Sequence, residues 1–367
     1  MKILSIGTDR QLFTPSSQVG KRALAYGQHF DQYQQIIFAL KKHQLEAVKL
    51  SDKVWAYPTD SISRFFYIFD AIKFGNRLLK QNQGDWVISA QDPFETGLVA
   101  CWLAWKHQVP FQLQIHTDFL SPDFAKQSFL NRLRVWLARR LLPRANGIRV
   151  VSERIKNSII KVGIKTKIEP TVLSVVINQL ANQISSENLR TKYPQFTKIV
   201  LVVSRLEPEK NVALAIRTFA LVAKNQPQAG LIVVGSGSEE NKLKILVNQL
   251  NLDDKVIFAG QQNNLAAYYQ SADILLNTSN YEGYGLVLAE ARLADLPVVS
   301  TDVGIARELV GVESVCPAGD EKCLAQKVGL VLSGQVKQPP VPNNLVETDF
   351  NRYVEKYIDL LKKCLNQ

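Results

Sequence analysis

Short β-branched runs alternate with longer amphipathic segments along most of the chain, and this alternation constrains the fold more than any other feature. Strands that alternate with helices are typical of a parallel sheet covered by helices on both faces. The pattern occurs twice, and 367 residues are enough for two domains. The sequence therefore predicts an α/β protein with two Rossmann-like, doubly wound domains that face a central cleft.

The predicted strands fall into two groups, which set the expected domain limits. The first group comprises 2–7, 45–50, 86–91, 111–116, 147–152 and 172–177, and the second comprises 198–204, 229–235, 255–260, 274–279 and 297–301. We expect a first domain over 1–178, a second over 179–345, and a linker with a short helix over about 178–197. After a Pro-rich break, residues 346–367 are expected to form a helix that packs back towards the first domain.

Positive charge is concentrated in the first half of the chain. The net charge is +11, and residues 1–180 hold 25 Lys and Arg against 13 Asp and Glu. This asymmetry indicates an anionic partner, either nucleic acid or a membrane surface. A basic nucleic-acid-binding protein is therefore one alternative. Because no recognised nucleic-acid module is present and the cations accompany leucines, we expect no nucleic-acid partner.

Hydropathy and cysteine usage indicate a cytoplasmic protein. No apolar run approaches the roughly 20 residues that span a bilayer, and the apolar start of the chain is too short for a signal-peptide core. Cys101, Cys316, Cys323 and Cys364 show no paired metal spacing. They are expected to be free thiols in a reducing compartment.

A glycine-rich turn lies within residues 279–301, SNYEGYGLVLAEARLADLPVVST. Gly283 and Gly285 remove side chains, so the backbone can approach a ligand closely. The amides of Tyr284, Gly285 and Leu286 would then be donors at the start of a helix, where phosphate is favoured. This turn is a candidate phosphate site.

Two carboxylates flank the turn. Glu282 precedes it, and Glu290 lies on the following helix with apolar residues around the direction in which it points. An ionised carboxylate in apolar surroundings is costly unless a partner compensates it. Glu290 is expected either to cap a neighbouring backbone or to accept hydrogen bonds from a polar ligand such as ribose.

A second candidate lies in VVSRLEPEKN, residues 202–211, at a junction between a strand and a helix. Arg205 follows the strand and Lys210 precedes the helix. Arginine offers a planar fork for phosphate oxygens, and lysine offers a point charge. Together the two cations suit a pyrophosphate.

Two other kinds of site are argued against. Residues 233–240, VVGSGSEE, contain the first two glycines of a dinucleotide fingerprint, Gly235 and Gly237, but the third glycine position is Glu240. This departure argues against nicotinamide chemistry. No Asp-x-Asp pair occurs in the chain, so no metal site is predicted.

Five segments of the second half occur in an order that resembles a known family. SRLEPEKN, VVGSGSEE, VIFAG, EGYGLVLAEA and STDVGIARELV are together similar to the donor domain of retaining glycosyltransferases of family 4, also called group 1, which have the two-domain GT-B fold. The resemblance covers 198 to about 330 and, in the first half, rests on layout and on the strand that ends at His116. It implies an acceptor-binding first domain, a nucleotide-sugar donor domain and no metal or cofactor.

The resemblance also implies roles for individual residues. Arg205 and Lys210 would hold the diphosphate of a UDP- or GDP-sugar, Glu290 the ribose, and Glu282 the sugar hydroxyls, with Phe258 near the base. The other donor-binding candidates are Gly235, Gly283, Tyr284, Gly285 and Leu286.

The first half is expected to supply His116 and the acceptor contacts. A lone histidine is usually an ordinary structural residue, but His116 closes a strand where similar enzymes place an active-site histidine. The loop 7–22 should face the acceptor, with Gln18, Gly20 and Arg22 as candidates. Similar enzymes often carry a double glycine there, whereas this chain has only Gly20.

A basic helix is predicted within 124–152, which holds seven Lys and Arg and no acid. It is either an ordinary amphipathic helix packed on its domain or a helix that rests on anionic lipid headgroups. The candidate membrane contacts are Lys126, Arg132, Arg134, Trp136, Arg139 and Arg140. Contact at the inner face of the cytoplasmic membrane would suit a lipid-linked or cell-envelope glycan acceptor.

The expected reaction moves a hexosyl group from the nucleotide sugar to an acceptor hydroxyl, with the retention that the resemblance implies. The leaving diphosphate could take the acceptor proton, so no enzyme nucleophile is required. A sugar-nucleotide epimerase of the same fold is the alternative enzyme, and the segment EGYGLVLAE argues against it.

Overall fold

A computed structural model describes residues 1–14, 16–81, 84–177 and 188–365. The chain divides into two units, of which unit 1 comprises Met1–Leu173 and Asp349–Gln367 and unit 2 comprises Ser174–Thr348. Each unit is built on one sheet with helices around it. The predicted α/β class with two parallel-sheet domains is therefore confirmed, whereas part of the predicted linker, 178–187, lies outside the described residues.

Unit 1 holds eight strands, which are β1 (Lys2–Gly7), β2 (Gln32–Ile37), β3 (Val48–Lys49), β4 (Val54–Pro58), β5 (Trp86–Ala90), β6 (Phe111–Ile115), β7 (Gly147–Val150) and β8 (Thr171–Val172). Their order in the sheet is β3-β4-β2-β1-β5-β6-β7-β8. Among the strands of the described residues of unit 1, only β3 pairs antiparallel to its neighbour. The first six helices are α1 (Gln18–Gly27), α2 (Tyr67–Gln81), α3 (Glu95–His107), α4 (Pro122–Lys126), α5 (Phe129–Leu141) and α6 (Glu153–Lys161).

The described residues of unit 2 form six parallel strands, which are β9 (Lys198–Val203), β10 (Ala229–Val234), β11 (Val256–Gly260), β12 (Ile274–Asn277), β13 (Val298–Thr301) and β14 (Val315–Cys316). Their order is β11-β10-β9-β12-β13-β14. The helices are α7 (Leu189–Lys192), α8 (Val212–Asn225), α9 (Glu240–Gln249), α10 (Leu265–Ser271), α11 (Leu286–Leu293), α12 (Ala306–Val310) and α13 (Glu321–Leu332).

The last helix, α14 (Phe350–Leu365), belongs to unit 1 and lies against β5, β6 and β7. Its buried face includes Tyr353, Tyr357 and Leu361. The aromatic rings of this face meet Tyr26 of α1, and the Tyr26 and Tyr357 ring centroids are 5.2 Å apart. Among the helices of the described residues, none is long and apolar enough to cross a bilayer.

The strand predictions fail where polarity or sheet position overrides the pattern. β2, QYQQII, was missed because glutamines occupy a central strand, and Gln34 and Gln35 are buried there. The predicted strands 45–50 and 172–177 are wrong in extent. The first is reduced to the two residues of β3, and the second overlaps the two-residue strand β8 at Val172 alone. Both are edge strands with a neighbour on one side only, so little holds their ends.

The cysteine prediction is wrong for two of the four residues. Cys316 of β14 and Cys323 in the first turn of α13 form a disulfide. The chain reverses between β14 and α13, which brings the two sulfur atoms together, and linear spacing does not reveal such a reversal. Cys101 and Cys364 are free, as expected.

In each sheet the strand order reverses once, between β1 and β5 in unit 1 and between β9 and β12 in unit 2. At each reversal, the connections that follow the two adjacent strands leave in opposite directions. They open a crevice at the carboxyl ends of these strands, where ligands bind in open α/β sheets. In unit 2 the crevice lies between the loop that follows β9 and the loop that follows β12. These two loops contain the cations and the glycine-rich turn predicted from the sequence.

Candidate active site

Hydrogen bonds tie the loops after β9 and β12 into one structure. The Asn280 amide donates to the Glu209 carbonyl at 2.8 Å, and the Asn211 side-chain amide donates to Asn280 Oδ1 at 3.0 Å. The Thr278 hydroxyl donates to the Asn211 carbonyl, also at 3.0 Å. The cationic segment and the glycine-rich turn, which are distant in sequence, therefore lie side by side.

Lys210 and Glu282 form an ion pair across these two loops. Lys210 Nζ lies 2.5 Å from Glu282 Oε1, and only 16% and 18% of the two side chains is exposed. The Ser279 hydroxyl donates to the same carboxylate oxygen at 2.8 Å. The carboxylate is thus held in position, and an ammonium group has three donors, so Lys210 can bind a phosphate oxygen as well.

Arg205 pairs with an acidic residue that the sequence analysis did not single out. Its Nη2 lies 2.8 Å from Glu209 Oε1, and 69% of the arginine side chain is exposed. An exposed ion pair contributes little to stability. The guanidinium can therefore exchange this carboxylate for phosphate oxygens at small cost.

Gly235 has a packing role beside this segment. Its φ is 131°, and a Cβ atom there would lie 1.8 Å from the Ser204 carbonyl oxygen. The next residue, Ser236, accepts a hydrogen bond from the Leu206 amide at 2.9 Å. The loop after β10 therefore supports the backbone around Arg205, while the predicted contact of Gly235 with the donor stays a prediction.

The glycine-rich turn is held from behind by the loop after β13. The Ile305 amide donates to the Tyr284 carbonyl at 2.9 Å. The Tyr284 side chain is buried, and its hydroxyl donates to the Leu345 carbonyl at 2.6 Å. Gly304 approaches so closely that a Cβ atom would lie 2.1 Å from the Tyr284 carbonyl oxygen and 3.3 Å from Glu282 Cβ.

Replacing Gly304 with alanine is expected to displace the turn and to weaken donor binding at least about tenfold, because backbone atoms cannot yield as a flexible side chain does. The φ of 51° adds strain. Calorimetric titration with nucleotide sugar measures the effect. Gly329→Ala is the matched control, because nothing lies within 4 Å of its added Cβ. Equal affinity of Gly304→Ala and Gly329→Ala would contradict the supporting role of Gly304.

Glu290 has a side-chain partner that the sequence analysis missed. The Tyr269 hydroxyl, on α10, donates to Glu290 Oε2 at 2.8 Å. Burial raises the pKa of Glu290 above its ordinary value, and the bond from Tyr269 opposes that rise. Burial and the neighbouring carboxylate raise the pKa of Tyr269 as well. Tyr269 therefore orients the carboxyl group that the sequence assigns to ribose.

Four further donor-site candidates differ in how far they are exposed in unit 2. Phe258 is partly buried against the hydrophobic core, and Lys244 Nζ lies 5.8 Å from its ring centroid. Leu286, the first residue of α11, is 43% exposed. Gly283 and Gly285 are buried in the turn. Contact of Phe258 with a base stays a prediction.

In unit 1, His116 follows β6 and is joined to a buried polar network. Its Nε2 lies 3.2 Å from Gln114 Oε1, so the ring carries its proton on Nε2 if this bond is made. Arg149 Nη1 donates to the same oxygen at 2.8 Å. The Gln114 amide group donates to Ser89 Oγ and to the Tyr357 hydroxyl, at 2.9 and 3.0 Å. Gln114 therefore links His116 to helix α14.

Arg149 is a buried cation, with only 4% of its surface exposed. Its guanidinium lies over the rings of Tyr353 and Tyr357, 5.4 and 5.5 Å from the two centroids. Such rings stabilise a desolvated cation through their negative faces. The sequence analysis missed Arg149 and Gln114, although alternation along β6 places Gln114 and His116 on one face of the sheet.

Desolvation by the surrounding protein and neighbouring positive charge keep the His116 imidazole neutral. Surrounding protein lowers the pKa of His116, and the positive charges of Arg149 and Arg22 lower it further. The ring nevertheless retains exposed surface. It is therefore a neutral imidazole at physiological pH that a ligand can reach.

The acceptor-side candidates were predicted in the loop 7–22, but they lie at the start of helix α1. Residue 15 of the predicted loop lies outside the described residues. Gln18 and Arg22 are exposed, whereas Gly20 is buried and its amide donates to the Ser17 hydroxyl at 3.0 Å.

Asp92 lies in the loop after β5, and burial raises its pKa to about 6. Asp92 is a residue at the β1–β5 reversal that the sequence analysis missed.

The basic helix exists as α5, and its apolar side chains are divided between core and solvent. Leu141 is buried, whereas Phe129, Leu130, Leu133 and Trp136 are 48–80% exposed. Of the predicted membrane contacts, Lys126, Arg132, Arg139 and Arg140 are exposed. Arg134 instead pairs with Glu95 of α3 at 2.8 Å, so part of its charge serves packing within unit 1.

Among the described residues, no group of three or more His, Cys, Asp or Glu side chains could hold a metal ion. Three acidic residues of the predicted donor site are Glu209, Glu282 and Glu290. Two of them are paired with cations and the third with Tyr269. Positive charge at this site comes from Arg205 and Lys210.

Solved structures with the same architecture define the class of fold. Anabaena HepE in complex with UDP and glucose is 22% identical, with a TM-score of 0.73 and 99% of both chains covered. Sucrose-phosphate synthase from Thermosynechococcus elongatus is 18% identical, with a TM-score of 0.77 and full coverage of both chains. The chain thus has the two-domain GT-B fold.

Two family models cover most of the sequence. The model described as glycosyl transferases group 1 matches residues 186–348, and the model described as glycosyltransferase family 4 matches residues 25–170. The chain belongs to the group 1 glycosyltransferases of family 4, which confirms the resemblance seen in the sequence.

A curated relative is similar over both units. Alpha-monoglucosyldiacylglycerol synthase of Streptococcus pneumoniae is 28% identical over 256 residues, which are 64% of this chain and 57% of the relative. The match thus spans little more than half of that relative's length.

Proposed function

We propose that this chain is a retaining glycosyltransferase that moves a hexosyl group from a UDP- or GDP-sugar to an acceptor hydroxyl without a metal ion. The observation that carries the proposal is the Lys210–Glu282 ion pair at the strand reversal of unit 2. It places a cation for the diphosphate and a carboxylate for the sugar at one point. The UDP and glucose named for HepE support this assignment.

In the proposed donor complex the diphosphate lies between Lys210, Arg205 and the start of α11. Preorganised positive charge of this kind stabilises the charge that develops on a leaving group. Both observed contacts of Glu282 are made to Oε1, so we assign Oε2 to a sugar hydroxyl. Glu290, oriented by Tyr269, accepts from the ribose.

The bond between the anomeric carbon and the diphosphate oxygen breaks, and its electron pair leaves with the diphosphate. The acceptor oxygen then bonds to the anomeric carbon on the same face, and its proton passes to the departing phosphate oxygen. Neither Glu282 nor another carboxylate acts as a nucleophile in this scheme. His116, neutral and bonded to Gln114, is the proposed donor-sugar contact from unit 1.

For the acceptor, we propose a lipid-linked or cell-envelope glycan that is reached from the cytoplasmic side of a membrane. The exposed Phe129, Leu130, Leu133 and Trp136 of α5, with the cations among them, support this choice. The name of the pneumococcal relative, a diacylglycerol glycolipid synthase, supports it too. The acceptor contacts would lie near Gln18, Gly20 and Arg22.

A thermal-shift screen of the full chain with UDP-, GDP- and ADP-glucose tests the donor assignment. Saturation at about 100 Kd adds about 2.7 kcal/mol to the free energy of unfolding, so one nucleotide series should raise Tm clearly. NMR of the product from the stabilising donor then reports the anomeric configuration. No shift with any donor would contradict the proposal, and a changed free sugar nucleotide without transfer would favour the epimerase.

A further inference from the structure

A second exposed apolar cluster lies in unit 1, in a segment that the sequence analysis did not single out. Between β4 and α2, the chain makes a turn of 3-10 helix at Arg64–Phe66. Ile62 is 85% exposed, Phe65 88% and Phe69 70%. Burial of a side chain as large as phenylalanine is strongly favourable. Neighbouring exposed aromatic side chains of this kind indicate an interaction surface.

Cations border this cluster. Arg10 Nη1 lies 3.2 Å from both ring nitrogens of His43. Desolvation lowers the pKa of His43, and the positive charges of Arg10, Lys42 and Arg64 lower it further, so all three cations lie in its neighbourhood. The Lys41 amide donates to the Ser61 carbonyl at 2.9 Å and joins this segment to the cluster. Within the described residues, none of Arg10, Lys42 and Arg64 forms an ion pair with a carboxylate.

The cluster lies at the same edge of unit 1 as the exposed start of α5. Helices α2 and α5 both pack against α3, and each begins after the carboxyl end of a parallel strand, β4 or β6. The two apolar clusters therefore belong to segments that both adjoin α3.

We propose that Ile62, Phe65, Phe66 and Phe69, bordered by Arg10, Lys42 and Arg64, insert into an anionic lipid bilayer. The first turn of α5 forms the second point of contact. Exposed aromatic side chains with cations beside them match the interface of an anionic membrane, and the three cations outnumber the two acidic residues of the segment, Asp60 and Asp70. A two-point contact fixes the carboxyl edge of the unit 1 sheet relative to the membrane plane.

Co-sedimentation with vesicles tests this surface without any nucleotide sugar, so its failure is distinguishable from failure of the proposed transferase activity. We expect the full chain to bind phosphatidylglycerol-containing vesicles and to be released by salt. Phe65→Ser/Phe69→Ser should reduce the bound fraction at least about tenfold. Arg10→Gln/Lys42→Gln/Arg64→Gln should weaken the preference over phosphatidylcholine vesicles, and the cations of α5 retain the remainder.

The matched control is Ile245→Ser, which changes a 59% exposed apolar side chain of unit 2 and should leave vesicle binding unchanged. All replaced side chains are exposed, and thermal unfolding checks that each variant is folded. Binding of Phe65→Ser/Phe69→Ser at the wild-type level would overturn the proposal. Absence of wild-type binding to either vesicle would also overturn it and would point to a protein partner for the cluster.

Discussion

Lys210→Met is expected to lower kcat/KM for sugar transfer by about 10²–10³-fold, the typical loss when one preorganised stabilising donor is removed from a site of developing charge. Two effects combine in this variant. The leaving diphosphate loses a cation, and the 18% exposed Glu282 loses the partner that compensates its charge. A carboxylate left unpaired beside a diphosphate then repels it. We therefore expect the loss in both donor affinity and kcat.

Steady-state kinetics with the donor found in the thermal screen measure this loss. Lys242→Met is the matched control, because Lys242 pairs with Glu239 at 2.7 Å but is 75% exposed on α9. It should keep full activity. Arg205→Met is expected to cause a smaller loss than Lys210→Met, since the Arg205 side chain is 69% exposed and its charge is more strongly screened. Near-wild-type kcat/KM for Lys210→Met would remove the basis of the proposed donor site.

Arg149→Met is expected to cause the second-largest loss of sugar transfer, because it changes the position of His116. Without the guanidinium, Gln114 Oε1 loses its 2.8 Å donor inside unit 1. Gln114 Oε1 keeps its contact with His116 Nε2, but loss of a hydrogen bond from a charged donor costs about 1.5–3 kcal/mol, so Tm should fall. Because an error of about 1 Å in a reacting group can cost about 10²-fold in rate, kcat should fall more than KM rises. Arg149 thus acts as a positioning residue.

A titration distinguishes this positioning role from simple loss of stability. The positive charge of Arg149 lowers the pKa of His116, so the imidazole of Arg149→Met should titrate at a higher pH, which NMR of the ring protons detects. Arg77→Met is the matched control, since Arg77 also lies over an aromatic ring, that of Phe74, but on the exposed face of α2. An unchanged His116 titration together with unchanged kcat would contradict the role of Arg149.

The same lowered pKa gives a pH dependence of stability. In the unfolded chain His116 binds a proton near pH 6.5, whereas the folded protein keeps it neutral to lower pH. The unfolded state therefore binds more protons below pH 6.5, and His116 contributes to a loss of stability as the pH falls through that range.

Local sequence located most strands of the donor half, although it missed β14 and the Cys316–Cys323 disulfide. In unit 2, all five predicted strands form, because each is a continuous apolar run between turn signals, as a buried parallel strand requires. The cations and the glycine-rich turn follow strands that proved to be neighbours, β9 and β12, at the strand reversal. Function here lies next to strand ends, and strand ends can be read from the sequence.

The sequence by itself determined the α/β class, the family and the chain positions of the candidate site. Tertiary structure alone decided the partners, namely Glu209 for Arg205, Tyr269 for Glu290, and Arg149 for Gln114. It also decided the Cys316–Cys323 disulfide and the exposure of Phe65 and Phe69. The physical reason is that pairing and burial depend on which segments the fold brings together, whereas periodicity and turn chemistry act between residues close in sequence.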